Sequence, residues 1–237
     1  MELPTVQNGK RKLVKINEGQ IFAMPSRIPH SPQRPMEGSL GLVVERRRLD
    51  SEMDGLVFFD DFEKCDKVRW EQFFKCNDLG KDLPPVIKAY RDWEASEASK
   101  EPREFPEEDR AVCQDRKTEI PAPFFLQDFL LANAEKLAAG EAVPLLGCDH
   151  PDKELEVFVV GGSSQQPSQE SQYETWLYQI KGSAHVAVQS GTLTLTEGCC
   201  CIVQSGESFD VSRMEGSVGL VLRQNPEGNK EPVKSSA

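Results

Sequence analysis

Apolar and polar residues alternate along two separate stretches of this chain, and between them the period lengthens. Near the start, alternation over Lys12–Asn17, Gln20–Met24 and Leu40–Arg48 predicts short strands cut apart by Gly and Pro turns. It returns late in the chain. Glu154–Val160, Thr175–Ile180, Ala184–Gln189, Thr192–Thr196, Cys200–Val203 and Val218–Arg223 all read as strands. Between the two, Pro84-Pro85 is expected to open a helix to about Ser96, with Ile87 and Tyr90, joined by Trp93, on one side. A second helix is predicted from Pro123 to Gly140, because Leu126, Phe129, Leu130 and Leu137 recur at helical spacing. The Ser/Gln stretch Gly161–Gln172 reads as a flexible loop and the polar tail after Asn225 as a frayed end.

The rest of the pattern divides the chain. Asp50–Leu79 is mixed, and its aromatic group (Phe58, Phe59, Phe62, Trp70, Phe73, Phe74) is expected to pack over a β-barrel. Lys100–Thr118 is densely charged, contains two prolines and reads as a linker. The expected domains are therefore 1–99, a linker over 100–118, and 119–237. The class is all-β dominated, with a few helices between the β regions.

Charge narrows the function. A formal net charge of −11 argues against a nucleic-acid or anionic-membrane surface, where clustered positive charge is needed. The run Arg46-Arg47-Arg48 is short, and a strand would split it between two faces. No apolar run approaches a membrane span, and the opening MELPTVQNGKRK has no apolar signal core, so a cytosolic protein is expected. Seven cysteines include no C-x-x-C pair, which supports neither a zinc ribbon nor a redox dithiol. Cys199, Cys200 and Cys201 would alternate faces on a strand, as small apolar fillers in a reducing compartment.

Only three histidines are present, His30, His150 and His185. His150 sits in a polar Asp-His-Pro-Asp turn, and His185 alternates with Ala184 and Val186. Neither has a neighbouring ligand. His30 differs, because Pro29 and Pro32 flank it and stiffen its backbone, as a metal ligand requires. Arg34 follows past Pro32; its planar guanidinium suits bidentate capture of a carboxylate, and a plain surface arginine is the other reading. Glu45 shares a predicted strand face with Val43 and Arg47. If Val43 faces a barrel interior, Glu45 does too and needs a cation there. Pairing with its arginine neighbours at the rim fits the pattern equally well.

Gly19, five residues, Pro25, four residues, His30 resembles the second half of the cupin motif. Weaker echoes follow. Tyr173–Gly182 resembles the strand-turn segment of a first half. Gly198, five residues, then Gln204 to Phe209 tracks a second half, with Phe209 where a metal ligand would stand. Two longer runs are more specific: Arg27–Arg34 (RIPHSPQR) and Gly41–Leu49 (GLVVERRRL). With Met53–Leu56, Lys75–Gly80 and Trp176–Gln179, they resemble the animal, two-cupin 3-hydroxyanthranilate 3,4-dioxygenases from about Gly9 onward.

That resemblance implies two cupin (jelly-roll) barrels in tandem: a catalytic-type first one, N-terminally truncated, and a metal-free second. It implies a monomer, a single Fe2+ held by two histidines and a glutamate, and 3-hydroxyanthranilate and O2 as reactants. The ring would open to 2-amino-3-carboxymuconate semialdehyde, which leads to quinolinate and NAD in the kynurenine pathway. Carried over by position, His30 matches the last iron ligand, Arg34 the residue that grips the substrate carboxylate, and Glu45 the one that hydrogen-bonds the substrate. The first histidine, the glutamate ligand and an upstream arginine have no counterpart in this sequence. The resemblance therefore implies an incomplete first barrel with open edges, an exposed core and impaired turnover. The alternative is a non-catalytic cupin that binds a small aromatic acid or a partner chain through Arg34 and Glu45. A metal-independent sugar-modifying cupin fits less well, since no second histidine can serve as base.

Overall fold

The computed structural model describes residues 1–225 apart from 47, 148, 164, 171 and 172, with backbone only over 165–170. Expectations placed on Arg47, Cys148 and the tail beyond Asn225 lie outside the described residues. In chain order the elements are β1 (Glu2–Gln7), β2 (Lys10–Lys15), β3 (Gln20–Ile21), β4 (Asp54–Phe59), β5 (Val68–Phe74), α1 (Leu79–Glu94), β6 (Phe124–Phe125), α2 (Leu126–Ala132), α3 (Ala134–Ala138) and β7 (Ala142–Pro144). Then come β8 (Leu155–Gly161), β9 (Gln165–Glu170), β10 (Thr175–Lys181), β11 (Ser183–Val188), β12 (Gly191–Thr196), β13 (Cys200–Val203), β14 (Ser208–Arg213) and β15 (Val218–Gln224). The chain is all-β dominated, as expected. No helix among the described residues is long and apolar enough to cross a membrane. Two compact units form: 1–17 with 24–123, and 18–23 with 124–237.

In the second unit, strands are shared between two antiparallel sheets ordered β13-β10-β15-β8-β7 and β12-β11-β14-β9. Setting β7 aside, that order is the double Greek key of a jelly roll. Period-2 patterning explains it. On β14, Phe209, Val211 and Arg213 are buried while Ser208 and Asp210 are exposed. Phe209 and Val211 join Leu177, Val203 and Val221 of the facing sheet with Ala184, Val186 and Leu195 in one core. Val186 is fully buried, a contribution of about 2 kcal/mol from apolar burial alone. Phe209 is 2 % exposed, so the position that echoes His30 is filled by a core side chain.

A second cluster covers the outer face of the five-stranded sheet, where Leu137 of α3 meets Val143 and Val159, with Phe129 and Leu130 of α2 against them. The single helix expected from Pro123 to Gly140 is thus two, preceded by β6. Asn133 breaks it: its backbone leaves the helical region at φ −115° and its side-chain amide donates to the Phe129 carbonyl at 2.9 Å. The predicted Gly161–Gln172 loop also needs correction, since β9 pairs with β14. Its Ser/Gln composition hid a strand whose backbone is held by its neighbour.

The first unit carries two hairpins and a helix. β1 and β2 are joined by Asn8-Gly9, both at positive φ (48° and 70°), the geometry of a two-residue hairpin turn. β4 and β5 form the other hairpin, against which α1 lays Tyr90. The Tyr90 ring stacks on Phe58 with centroids 3.7 Å apart, and Trp70, wholly buried, meets both edge-on. Of the aromatic group, Phe62 stays 49 % exposed.

Helix α1 starts at Leu79, before Pro84-Pro85. Asp78 caps it by accepting from the Gly80 N–H at 3.0 Å, and the Asp82 carboxylate accepts from the Asn77 and Asp78 N–H groups at 2.7 and 2.8 Å. The two prolines delete interior hydrogen bonds, yet the capped first turn already carries the helix past them. Residues of the 100–118 stretch are tied to the same unit: the Phe105 N–H and Arg110 Nε both donate to the buried Glu71 carboxylate, at 2.7 and 3.1 Å.

Leu40–Arg48 is the main departure in this unit. Its described residues form no strand, and Leu40, Leu42 and Val43 are 98 %, 65 % and 59 % exposed. A strand needs a ladder partner for its backbone groups, and among the described residues none runs beside this segment. Its alternation therefore has no sheet on which to act. Arg46 and Arg48 are instead clasped by carboxylates six positions on, Arg46 by Glu52 in a fork at 2.6 and 2.9 Å and Arg48 by Asp54 at 2.5 and 2.9 Å. The cysteine run is likewise only partly apolar filler: Cys201 packs on the core, while Cys199 and Cys200 are exposed.

Candidate functional site

The segment around His30 is built as a third strand on β1. Backbone bonds run both ways along it: Val6 N–H to the Pro29 carbonyl at 2.9 Å, Ser31 N–H to Pro4 at 3.0 Å, and a reciprocal pair between Glu2 and Gln33 at 2.9 and 2.8 Å. In that register Thr5 stands opposite His30. β1 thus lies between β2 and the His30 segment, which explains why its residues Leu3 to Gln7 are all buried although several are polar. Prolines suit such an edge, because they lack the N–H that a central strand must donate.

Beneath the mount is a buried polar row. Thr5 Oγ1 donates to the Lys12 carbonyl at 3.1 Å and accepts from Gln7 Nε2 at 2.8 Å, while Gln7 Oε1 accepts from the Ile120 N–H at 2.9 Å. Thr5 and Gln7 are 2 % and 3 % exposed and fully engaged. On the entry side, Arg27 adopts φ 65° and its carbonyl accepts from the Asp115 N–H at 2.9 Å, so the turn into Ile28–His30 is held as well. Thr5, Gln7 and Asp115 had not been marked from the sequence; the Asn8-Gly9 pair, a hairpin signal passed over there, could have placed β1 beside β2.

On this mount the His30 ring is exposed, with Nδ1 2.8 Å from the Ile28 carbonyl oxygen. A carbonyl can only accept, so Nδ1 carries the proton and the lone pair of the neutral ring sits on Nε2. Histidines that bind metals are commonly held in this way through the non-coordinating nitrogen. Arg34 is exposed too, and its Nη1 donates to the Ser39 carbonyl at 3.4 Å, folding the guanidinium over Gly41, where an added Cβ would meet Nη2 at 3.4 Å. Glu45 is exposed, close enough to Arg48 to raise its pKa, an effect smaller than that of the Asp54 hydrogen bond.

A metal needs more donors than this. Among the described residues, no three His, Cys, Asp or Glu side chains gather where they could hold an ion. The other two histidines are in the second unit. His150 is buried, its Nδ1 accepting from the Asp152 N–H at 3.1 Å, and burial lowers its pKa. His185 is exposed beside Thr194 Oγ1 at 3.1 Å.

The 3-hydroxyanthranilic acid dioxygenase family model matches residues 1–91. A curated 3-hydroxyanthranilate 3,4-dioxygenase of Xenopus laevis is 36 % identical over 226 residues, covering 95 % of this chain and 77 % of that protein. Its counterpart in Nematostella vectensis is 36 % identical over 230 residues (97 % and 79 %), and that of Homo sapiens 33 % over 236 (95 % and 76 %). Among solved structures, a cupin-2 domain protein of Shewanella frigidimarina aligns with a TM-score of 0.31 at 10 % identity, over 36 % of this chain and 80 % of that one.

Proposed function

The chain belongs to the 3-hydroxyanthranilate 3,4-dioxygenase family, and from that premise we propose that these residues bind 3-hydroxyanthranilate with impaired turnover. In this reading Arg34 pairs with the substrate carboxylate, Glu45 accepts a hydrogen bond from a ring substituent, and His30 stands at the edge of the reacting region as a metal-ligand position. The reaction of the lineage, as we read it, uses Fe2+ and O2 to open the ring to 2-amino-3-carboxymuconate semialdehyde, ahead of quinolinate and NAD in the kynurenine pathway.

The residues present do not fit Fe2+. One imidazole at the motif position, with no trio of donors among the described residues, leaves most of the coordination sphere to water, and a facial triad is what such chemistry requires. That shortage is the observation that carries the reading. It favours binding over ring cleavage, and it also supports the related possibility of a non-catalytic binder of small aromatic acids acting through the same Arg34 and Glu45. The free thiols support a reducing, cytosolic setting, and we take the chain to act as a monomer.

Titration calorimetry tests the proposal. The full chain should bind 3-hydroxyanthranilate, with affinity falling roughly tenfold or more in Arg34→Ala or when 2-aminophenol, which lacks the carboxylate, replaces it. Equal affinity for the two ligands would remove Arg34 from its role.

A further inference from the structure

We propose that the jelly roll of the second unit holds a small inorganic monoanion against the Arg213 guanidinium, with chloride as the abundant occupant. Arg213 sits on the inward face of β14, in series with Phe209 and Val211, and is 6 % exposed. Among the described residues neither its Nε nor its Nη1 has a hydrogen-bond partner, and no neighbouring charge acts on it. Asp210, on the same strand, is exposed on the alternate face. A buried cation left alone in an apolar core is among the costliest arrangements a protein can hold, and a counter-charge is what offsets it.

Burial lowers the Arg213 pKa to about 10, which still leaves it protonated at neutral pH. The guanidinium borders a cavity lined by Leu177, Val186, Leu195 and Val211 together with Gln179 and Gly219. Gly219 matters to its shape: a Cβ there would lie 3.3 Å from Gln179 Oε1 and 3.9 Å from Arg213 Nε, so the bare backbone leaves the space open. The cavity measures about 10 Å³, room for a single small body. An aromatic acid is too large, which separates this site from substrate binding. A water molecule would fit but would bring no charge.

The full chain should melt roughly 3 °C or more higher in sodium chloride than in sodium gluconate at equal ionic strength, and Arg213→Met should abolish the difference. Bromide soaked into crystals of the unsubstituted protein should give an anomalous peak beside Arg213, a readout that stands even if the variant does not fold. Equal melting in both salts, a difference retained in Arg213→Met, or bromide only at surface positions would each overturn the proposal. None of these results depends on substrate binding in the first unit.

Discussion

His30 Nδ1 lies 2.8 Å from the carbonyl oxygen of Ile28, two residues back along the same β1-paired segment. This contact fixes the tautomer, so long-range proton–nitrogen NMR spectra should show the neutral ring protonated at Nδ1 and bare at Nε2. A ring protonated at Nε2 would contradict the geometry and remove His30 as a ready ligand. Because the ring is exposed, His30→Ala should change stability by no more than about 0.5 kcal/mol.

The Asn8-Gly9 turn sets β1 against β2, and β1 in turn carries the His30 segment. Gly9 is at φ 70° with open space where a Cβ would go, so Gly9→Ala suffers conformational strain without a clash. The expected loss is about 1 kcal/mol in urea unfolding. An unchanged midpoint would mean that the turn is not formed as described.

Glu71 is 1 % exposed and receives both the Phe105 N–H and Arg110. Glu71→Ala leaves those donors without their acceptor, and a destabilisation of about 3 kcal/mol is expected. Limited proteolysis should then cut within 100–118 first. Resistance equal to that of the unsubstituted chain would show that this stretch is held by other contacts.

Tyr90 titrates late. Burial, then the hydrogen bond from its hydroxyl to Glu94 at 2.6 Å, push its pKa up to about 12 from an ordinary 10.0. The fold favours the neutral phenol, so this contribution is complete below pH 10 and is lost as pH rises toward 12. Between those limits the unsubstituted chain should lose stability faster than Tyr90→Phe. Parallel pH profiles for the two would contradict the shift.

Where one strand face is more buried than the other, the chain announced its structure: Cys200–Val203 in the sequence corresponds to β13, and Ala184–Gln189 to β11 within a residue at each end. β1 was illegible for the opposite reason. Its Thr5 and Gln7 are buried polar residues satisfied by each other, by the Lys12 carbonyl and by the distant Ile120 N–H, so no apolar period appears. Leu40–Arg48 shows the converse, a strand-like period with no neighbouring strand among the described residues to realise it. At the candidate site, the proline-flanked histidine was readable, and the segment proved to be firmly mounted. The side chains Arg34 and Glu45 are exposed on a stretch without regular structure, which alternation could not foresee because it presupposed the missing ladder.

The most direct test of an incomplete metal set on an intact mount is iron itself. The purified chain is loaded with ferrous iron under anaerobic conditions, dialysed, and assayed for bound metal; 3-hydroxyanthranilate and air are then added and product absorbance followed. The expected result is iron well below one per chain and no ring-opened product. One iron per chain with sustained turnover would contradict the donor shortage on which the functional reading stands.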